Sequence, residues 1–360
     1  MSHSIPSIID PLVGAYQSAT GTPGVAVALH FQGNDYLLPY GLADVANSTD
    51  VTADTIFEIG SMTKVFSTTL LASQVGQGVI SLDDPPYRRL PARVGEQGGN
   101  IKDVTYIQLA THTSTLHDTP EILRDHPSAQ LFDGQAASKK LIDWWIAHKA
   151  NDGGCWQYSN TAFVTLGFAV VGPVDAPGYQ PYEELLDEYI TSVLGMSNTG
   201  AHVSGPGVAQ GYLLTSNGVV PAKGVASDLK SSARDILTFL RANLGLWPGI
   251  VPTELAAAIA MTQQIYVDSP VACGAGGKQE SFSMGLAWQV NQPGTATAHY
   301  AKDGATGLGG FTSYMAFLPG EGIAVAVLTN LDGGGKLEPR QSPPKLANEI
   351  LTALPAAFAK

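Results

Sequence analysis

Apolar residues recur at helical spacing from the start of the chain. Ile8, Ile9, Leu12, Val13 and Tyr16 predict an amphipathic helix over residues 5–19. The segment Gly24 to Phe31 is short and rich in β-formers, Gly33-Asn34-Asp35 reads as a turn, and Tyr36 to Ala43 is again extended, which predicts a hairpin. From Ser61 onward, Val65, Phe66, Leu70, Leu71 and Val75 predict a helix that is apolar over much of its circumference, hence buried, and ended by Gly76 and Gly78. Between about 80 and 224 the pattern becomes helical, at 104–112, 138–149, 161–171 and 181–195, with Pro/Gly-rich connections. A hairpin around Ser216-Asn217-Gly218 is expected within 209–221. Ser232-Ala233-Arg234-Asp235 reads as a cap on a helix that begins there, and another helix covers about 253–266. Strand candidates follow at 283–290, 295–302, 311–318 and 322–329, then a closing helix at about 344–358. Ile323 to Leu328 is almost unbroken in apolar character, as a central strand covered on both faces requires.

These elements predict an α+β fold in which both ends of the chain build an antiparallel β-sheet flanked by terminal helices. A mainly helical domain is inserted into it. The expected division is 1–79 with 225–360 for the α/β sandwich domain and 80–224 for the insertion, with an active site in the cleft between them.

Composition narrows the function classes. The 360 residues are 44% hydrophobic and only 14% charged, against about 25% charged in an average domain. The net charge of −12 and the lack of a basic stripe argue against nucleic-acid binding. No apolar run reaches the roughly 20 residues that span a bilayer. The start, Met1-Ser2-His3-Ser4-Ile5-Pro6, carries neither a basic n-region nor an apolar h-region, so either the protein is cytoplasmic or a signal has been trimmed. Cys155 and Cys273 permit one disulfide without establishing it, and the pair is read as two buried thiols. The eight histidines show no metal-ligand spacing, so no metal and no cofactor is expected.

Three short motifs carry candidate chemistry. In Gly60-Ser61-Met62-Thr63-Lys64, the serine and lysine are three apart and share a helix face, which sets a hydroxyl beside an amine able to take its proton. The helix start supplies N–H groups and positive dipole where an oxyanion would form. The spacing alone is weak, since Ser227-Asp228-Leu229-Lys230 repeats it and an ordinary N-cap explains Ser61 equally well. In Tyr158-Ser159-Asn160, the phenol is a candidate proton shuttle and Asn160 a partner for a substrate carbonyl and for Lys64, against a plain turn with a core tyrosine and a helix-capping asparagine. In Lys302-Asp303-Gly304-Ala305, at a strand end, Lys302 is a candidate for a substrate carboxylate or the phenolate. Gly304 permits close backbone approach, and the Ala305 N–H is a second oxyanion donor.

Taken in this order, Ser-x-x-Lys, Tyr-x-Asn and Lys-x-Gly make the chain resemble the serine penicillin-recognising enzymes. The nearest group is the class C β-lactamases, with their related D,D-peptidases and esterases. The likeness extends through Pro23 to Ala28, Tyr40 to Asp44, Thr55 to Ser61, Ile80 to Pro85, Gln108 to Ser114, Gly224 to Ser227, Gly304 to Gly307, Phe311 to Tyr314 and Pro319, nearly end to end. It places Ser227 in a structural segment before a helix. The resemblance implies Ser61 as the acylated nucleophile, Lys64 and Tyr158 as its acid/base partners, Asn160, Lys302 and Gly304 at the substrate, and the Ser61 and Ala305 N–H groups as the oxyanion hole. It also implies two-step acyl transfer to water, a small β-lactam or D-Ala-type peptide as substrate, and a periplasmic location.

Three positions depart from the family pattern. Asp303 replaces the usual Thr or Ser, Thr115 stands where glycine is usual, and Leu308-Gly309 lengthens the turn after Gly307. Asp303 facing the site would repel a carboxylate, while strand alternation offers the other arrangement, with Asp303 turned away from Lys302. The leading reading is β-lactam hydrolysis. The alternatives are a D,D-carboxypeptidase or endopeptidase, a short-chain esterase and, in another class, a penicillin-binding receptor without turnover.

Overall fold

The computed structural model describes residues 4–123, 127–148, 154–205, 207–224, 228–247, 252–274, 276–295, 297–335 and 341–358. Ser227, the serine of the second Ser-x-x-Lys, lies outside them. Mixed helices and antiparallel strands make this an α+β chain, as the pattern predicts. The chain divides into two compact units, each discontinuous in sequence: 1–63 with 195–248 and 301–360, and 64–194 with 249–300.

In the first unit the strand Ile323–Thr329 lies between Gly24–Phe31 and Thr312–Leu318, antiparallel to both, with Val27 opposite Val327 and Tyr314 opposite Val327. Asn34–Asp44 extends the order on one side and His299–Ala305 on the other. Every residue of Ile323–Thr329 is buried, which explains the unbroken apolar run. Its alternate residues serve different faces. Ile323, Val325 and Val327 join Val25, Val27 and Leu29 under the terminal helices Ile5–Thr20 and Pro343–Phe358, against Ile9, Val13, Leu346 and Ile350. Each such side chain, fully buried, contributes about 1.5–3 kcal/mol. Ala26, Ala28, Ala324 and Ala326 are the small residues of the opposite parity, and the helix Ala233–Asn243 packs on these same strands. The Ser232 side chain caps that helix by accepting from the Asp235 N–H, as the sequence signal implies. Residues Tyr212–Thr215 and Gly218–Pro221 form the expected hairpin, and Tyr212–Thr215 also pairs in parallel with Leu331–Asp332.

In the second unit the helix Asn160–Val171 is buried along nearly its whole length. Polar atoms inside it are matched: Trp145 Nε1 donates to Thr165 Oγ1 at 2.8 Å, and Arg89 closes the helix end by donating to the Ala169 and Val170 carbonyls at 2.8 and 3.0 Å. No helix of the described residues is long and apolar enough to cross a membrane.

Three expectations require correction. The cysteines are not free thiols: Cys155 and Cys273 form a disulfide, with Cα atoms 4.9 Å apart. Backbone pairing brings them together, since the Trp156 N–H donates to the Val271 carbonyl at 2.7 Å and the Cys273 N–H to the Trp156 carbonyl at 2.9 Å. The 283–290 stretch is not one strand but two short ones, Phe282–Met284 and Gln289–Asn291, folded back on each other. The reversal lies at Gly285 to Trp288, where a Gly285 Cβ would come within 2.5 Å of the Thr262 carbonyl oxygen and Ala287 adopts a φ of 65°. The next strand accordingly begins at His299 and not at 295.

Candidate active site

Ser61 sits in a single 3-10 turn, Gly60–Met62, that runs directly into the helix Thr63–Gly76. The turn is anchored from before and after. Ile56–Glu58 pairs antiparallel with Lys230–Ser232, the Ile59 N–H donates to the Leu229 carbonyl at 3.0 Å, and Thr63 Oγ1 accepts from the Leu229 N–H at 3.0 Å. Gly60 has a φ of 53°, in the left-handed region, and any Cβ there would lie 2.7 Å from the backbone nitrogen of Ala305. A side chain at 60 is therefore excluded twice, by backbone strain and by the neighbouring strand. The same close approach recurs one residue earlier on the strand. A Cβ on Gly304 would overlap the Ile59 carbonyl oxygen, which already accepts from Ser313 Oγ at 3.0 Å. The glycines of the first and third motifs thus let the turn bearing Ser61 lie directly against the strand bearing Ala305.

Lys64 is the second residue of the buried helix and is only 7% exposed. Its ammonium donates to Asn160 Oδ1 at 2.8 Å and lies 5.1 Å from the centre of the Tyr158 ring and 5.5 Å from that of Phe163. A carbonyl oxygen and two ring faces are all negative-end partners for a cation. The Tyr158-Ser159-Asn160 motif and Lys64 therefore form one contact group, as their proposed chemistry requires.

The support beneath this group was not predicted. Asp118 accepts from Asn160 Nδ2 at 2.9 Å, from the Thr161 N–H at 2.9 Å and from Thr161 Oγ1 at 3.2 Å. It fixes which end of the Asn160 amide faces Lys64, because the nitrogen is held by the carboxylate and the oxygen remains for the ammonium. His112, 2% exposed, accepts the Ser159 N–H at Nδ1 over 3.1 Å, stacks on Tyr158 with ring centres 4.5 Å apart, and takes the Gln157 N–H on its carbonyl at 2.9 Å. Asp118 is 42 residues from Asn160 in sequence, in a polar loop with no local signal, so motif reading has no means to find it. His112 and Thr115 hold φ values of 61° and 57°. Thr115 thus occupies a left-handed position that suits glycine, which explains the family's usual residue there and leaves this chain with a strained, buried threonine.

The third motif departs from the arrangement in which strand alternation turns Asp303 away from Lys302. Lys302, with a side chain 5% exposed, turns its ammonium onto its own neighbour: it donates to Asp303 Oδ1 at 2.8 Å and to the Asp303 carbonyl at 2.9 Å. Asp303 is 69% exposed along its side chain, so the pair spans the strand edge. Burial lowers the pKa of His299 and raises that of Tyr300, which leaves both neutral near pH 7. Lys302 and Asp303 are then the two charges of the His299–Ala305 strand. Tyr314 on the adjoining strand is pushed above the ordinary phenol range by burial, with the negative charge of Asp303 adding to it.

The Beta-lactamase family profile matches residues 9–346. The chain belongs to the beta-lactamase family. A beta-lactamase of Pseudomonas fluorescens is 26% identical over 97% of this chain and 99% of its own length. The D-alanyl-D-alanine-carboxypeptidase/endopeptidase AmpH of Escherichia coli K12 is also 26% identical, over 89% of this chain and 83% of its own. A crystal structure of a class C beta-lactamase from Rhodobacter sphaeroides superposes with a TM-score of 0.77 at 23% identity, covering 96% of this chain and 99% of that one, so the two share a fold.

Proposed function

We propose that this beta-lactamase family member is a serine hydrolase that opens β-lactam rings through an acyl-enzyme at Ser61. The observation that carries the proposal is the buried Lys64 ammonium, held by Asn160 and set against the Tyr158 ring, three residues after a serine at a helix start. In this reading Ser61 Oγ attacks the lactam carbonyl carbon while its proton passes to Tyr158, which receives it as a phenolate paired with the Lys64 ammonium. The C–N bond breaks, and the ring nitrogen receives that proton. Water then attacks the acyl carbon and gives a proton to the same pair. The bond from carbon to Ser61 Oγ breaks, Ser61 regains its proton, and the ring-opened acid leaves. The N–H groups of Ser61 and Ala305 take the developing oxyanion, which the close approach of Gly60 to the Ala305 backbone supports. Asn160, Lys302 and Gly304 line the substrate in this scheme.

A second reading, D,D-carboxypeptidase or endopeptidase action on a D-Ala-type peptide, is favoured by the similarity to AmpH. It uses the same acylation and differs in leaving group. We place the enzyme outside the cytoplasm, most consistently in the periplasm, because the Cys155–Cys273 disulfide suits an oxidising compartment.

The test is intact-protein mass spectrometry after mixing with benzylpenicillin, run beside the turnover of a chromogenic cephalosporin, with Ser61→Ala as control. Turnover that disappears in the variant supports the hydrolase. A long-lived penicilloyl adduct without turnover favours the peptidase reading. Neither adduct nor turnover overturns the β-lactam assignment.

A further inference from the structure

The Lys302–Asp303 pair carries a consequence for substrate class, and it rests on the acyl-transfer reading above. In a site where Lys302 meets a substrate carboxylate, the ammonium must offer both net positive charge and open N–H donors. Here two of its three N–H donors point at Asp303, one at the carboxylate and one at the backbone carbonyl. The lysine side chain is almost entirely buried while the Asp303 carboxylate is exposed, so solvent screens the pair from the aspartate side and two hydrogen bonds hold the ammonium to its neighbour. With His299 and Tyr300 neutral, the strand His299–Ala305 carries compensating charges and no net positive charge. An incoming carboxylate meets a cation already neutralised, together with an aspartate of its own sign.

We propose that Asp303 is a specificity-determining residue that biases this hydrolase toward acyl donors without an anionic group beside the scissile bond: neutral esters, amides or lactams. The device is an anion supplied by the protein in place of one supplied by the substrate. A hydroxyl residue at 303 would leave the ammonium unneutralised. It would also add a donor for the carboxylate.

The test uses a chromogenic cephalosporin as free acid and as its carboxyl methyl ester, which differ only in the charge beside the lactam. The readout is the ratio of kcat/KM for acid over ester, or of acylation rates by mass spectrometry where turnover is slow. Asp303→Asn, which keeps shape and removes charge, and Asp303→Thr are each expected to raise this ratio at least tenfold over the wild type. Asp303→Glu, which keeps the charge, is expected to stay within threefold. A ratio that Asp303→Asn and Asp303→Thr leave within twofold of the wild type overturns the inference. Ser61→Ala separates the two levels. If it retains acylation or turnover, the acyl-enzyme reading itself has failed; if it is inactive while the ratio is flat, only the role of Asp303 has failed.

Discussion

At the scale of single residues, Asp118 decides which atom of Asn160 faces Lys64. Its carboxylate accepts from the Asn160 amide nitrogen, the Thr161 N–H and the Thr161 hydroxyl. Asp118→Ala leaves these donors, those of Thr161 fully buried and that of Asn160 partly buried, without their acceptor, at a cost of about 1–3 kcal/mol for each that finds no water. It also frees the Asn160 amide to rotate and present its nitrogen to the lysine. The expected outcome is a fall in kcat/KM of at least tenfold, about 1.4 kcal/mol of transition-state stabilisation, with a modest fall in melting temperature. Unchanged kinetics in the variant would show that Asn160 is oriented without Asp118. Of the proposed site, Ser61, Lys64, Tyr158 and Asn160 can be named as candidates from the sequence because each motif is local, spanning one turn of helix or one loop. Asp118 was not, because its role exists only once the chain brings position 118 beside position 160. Lys302 and Asp303 are adjacent and easily read, yet alternation along a strand does not describe them. A lysine carries four methylenes, and its charged end reaches around the strand edge to the neighbour.

At the scale of elements, long periodic segments were readable and short irregular ones were not. The helix 5–19 is found at Ile5–Thr20, and the closing helix at Pro343–Phe358, because each presents one apolar stripe to the sheet. The 283–290 reading failed since Ser283 to Val290 is apolar enough for a strand, while the reversal is set by Gly285 fitting against the Thr262 backbone. The disulfide was permitted by the sequence but not established by it: its partners are separated by 118 residues and meet through main-chain pairing. Bridging so long a loop stabilises by about 2–4 kcal/mol, chiefly by restricting the unfolded chain. Replacing both cysteines by serine is expected to lower unfolding stability by about that amount in a denaturant titration. The catalytic rate at 25 °C should remain within about threefold, because hydrogen bonds from Trp156, Gln157 and Cys273 still hold the segment before Tyr158. A collapse in rate with unchanged stability would reverse this account.

The same scale includes the bidentate pair of Arg234, at the start of the helix Ala233–Asn243, with Asp54 in the loop leading to Ile56–Glu58. Hydrogen bonding to Arg234 holds the Asp54 carboxyl below its ordinary range. A depressed carboxylate pKa contributes stability that is present above the unfolded-state value of about 4 and is lost as pH falls through the folded value. Both side chains are half-exposed, so the effect is small, under about 1 kcal/mol. Asp54→Asn should therefore unfold slightly more easily than the wild type at pH 7. The difference should close toward pH 3 and in molar salt. A gap that widens on acidification would contradict the sign.

At the scale of the whole molecule, 31 acidic against 19 basic residues give a net charge of −12. Such a surface repels an approaching anion at long range, and salt screens that repulsion, with a Debye length near 30 Å at 0.01 M and about 8 Å at physiological ionic strength. Encounter with an anionic cephalosporin should therefore quicken as salt is added, whereas a neutral ester should be indifferent. The opposite sign would hold if an exposed, unneutralised lysine drew anions in. In this chain the ammonium of Lys302 is buried and paired with Asp303, so the local term is muted and the global one prevails. The expected result is a rise of about two- to threefold in kcat/KM for the anionic substrate between 10 and 300 mM salt. The uncharged methyl ester measured in parallel should stay flat, and viscosity and denaturation controls would exclude a general salt effect. A fall in kcat/KM for the anion alone would mean that local positive charge outweighs the −12 of the whole, and that Lys302 reaches substrates in spite of Asp303.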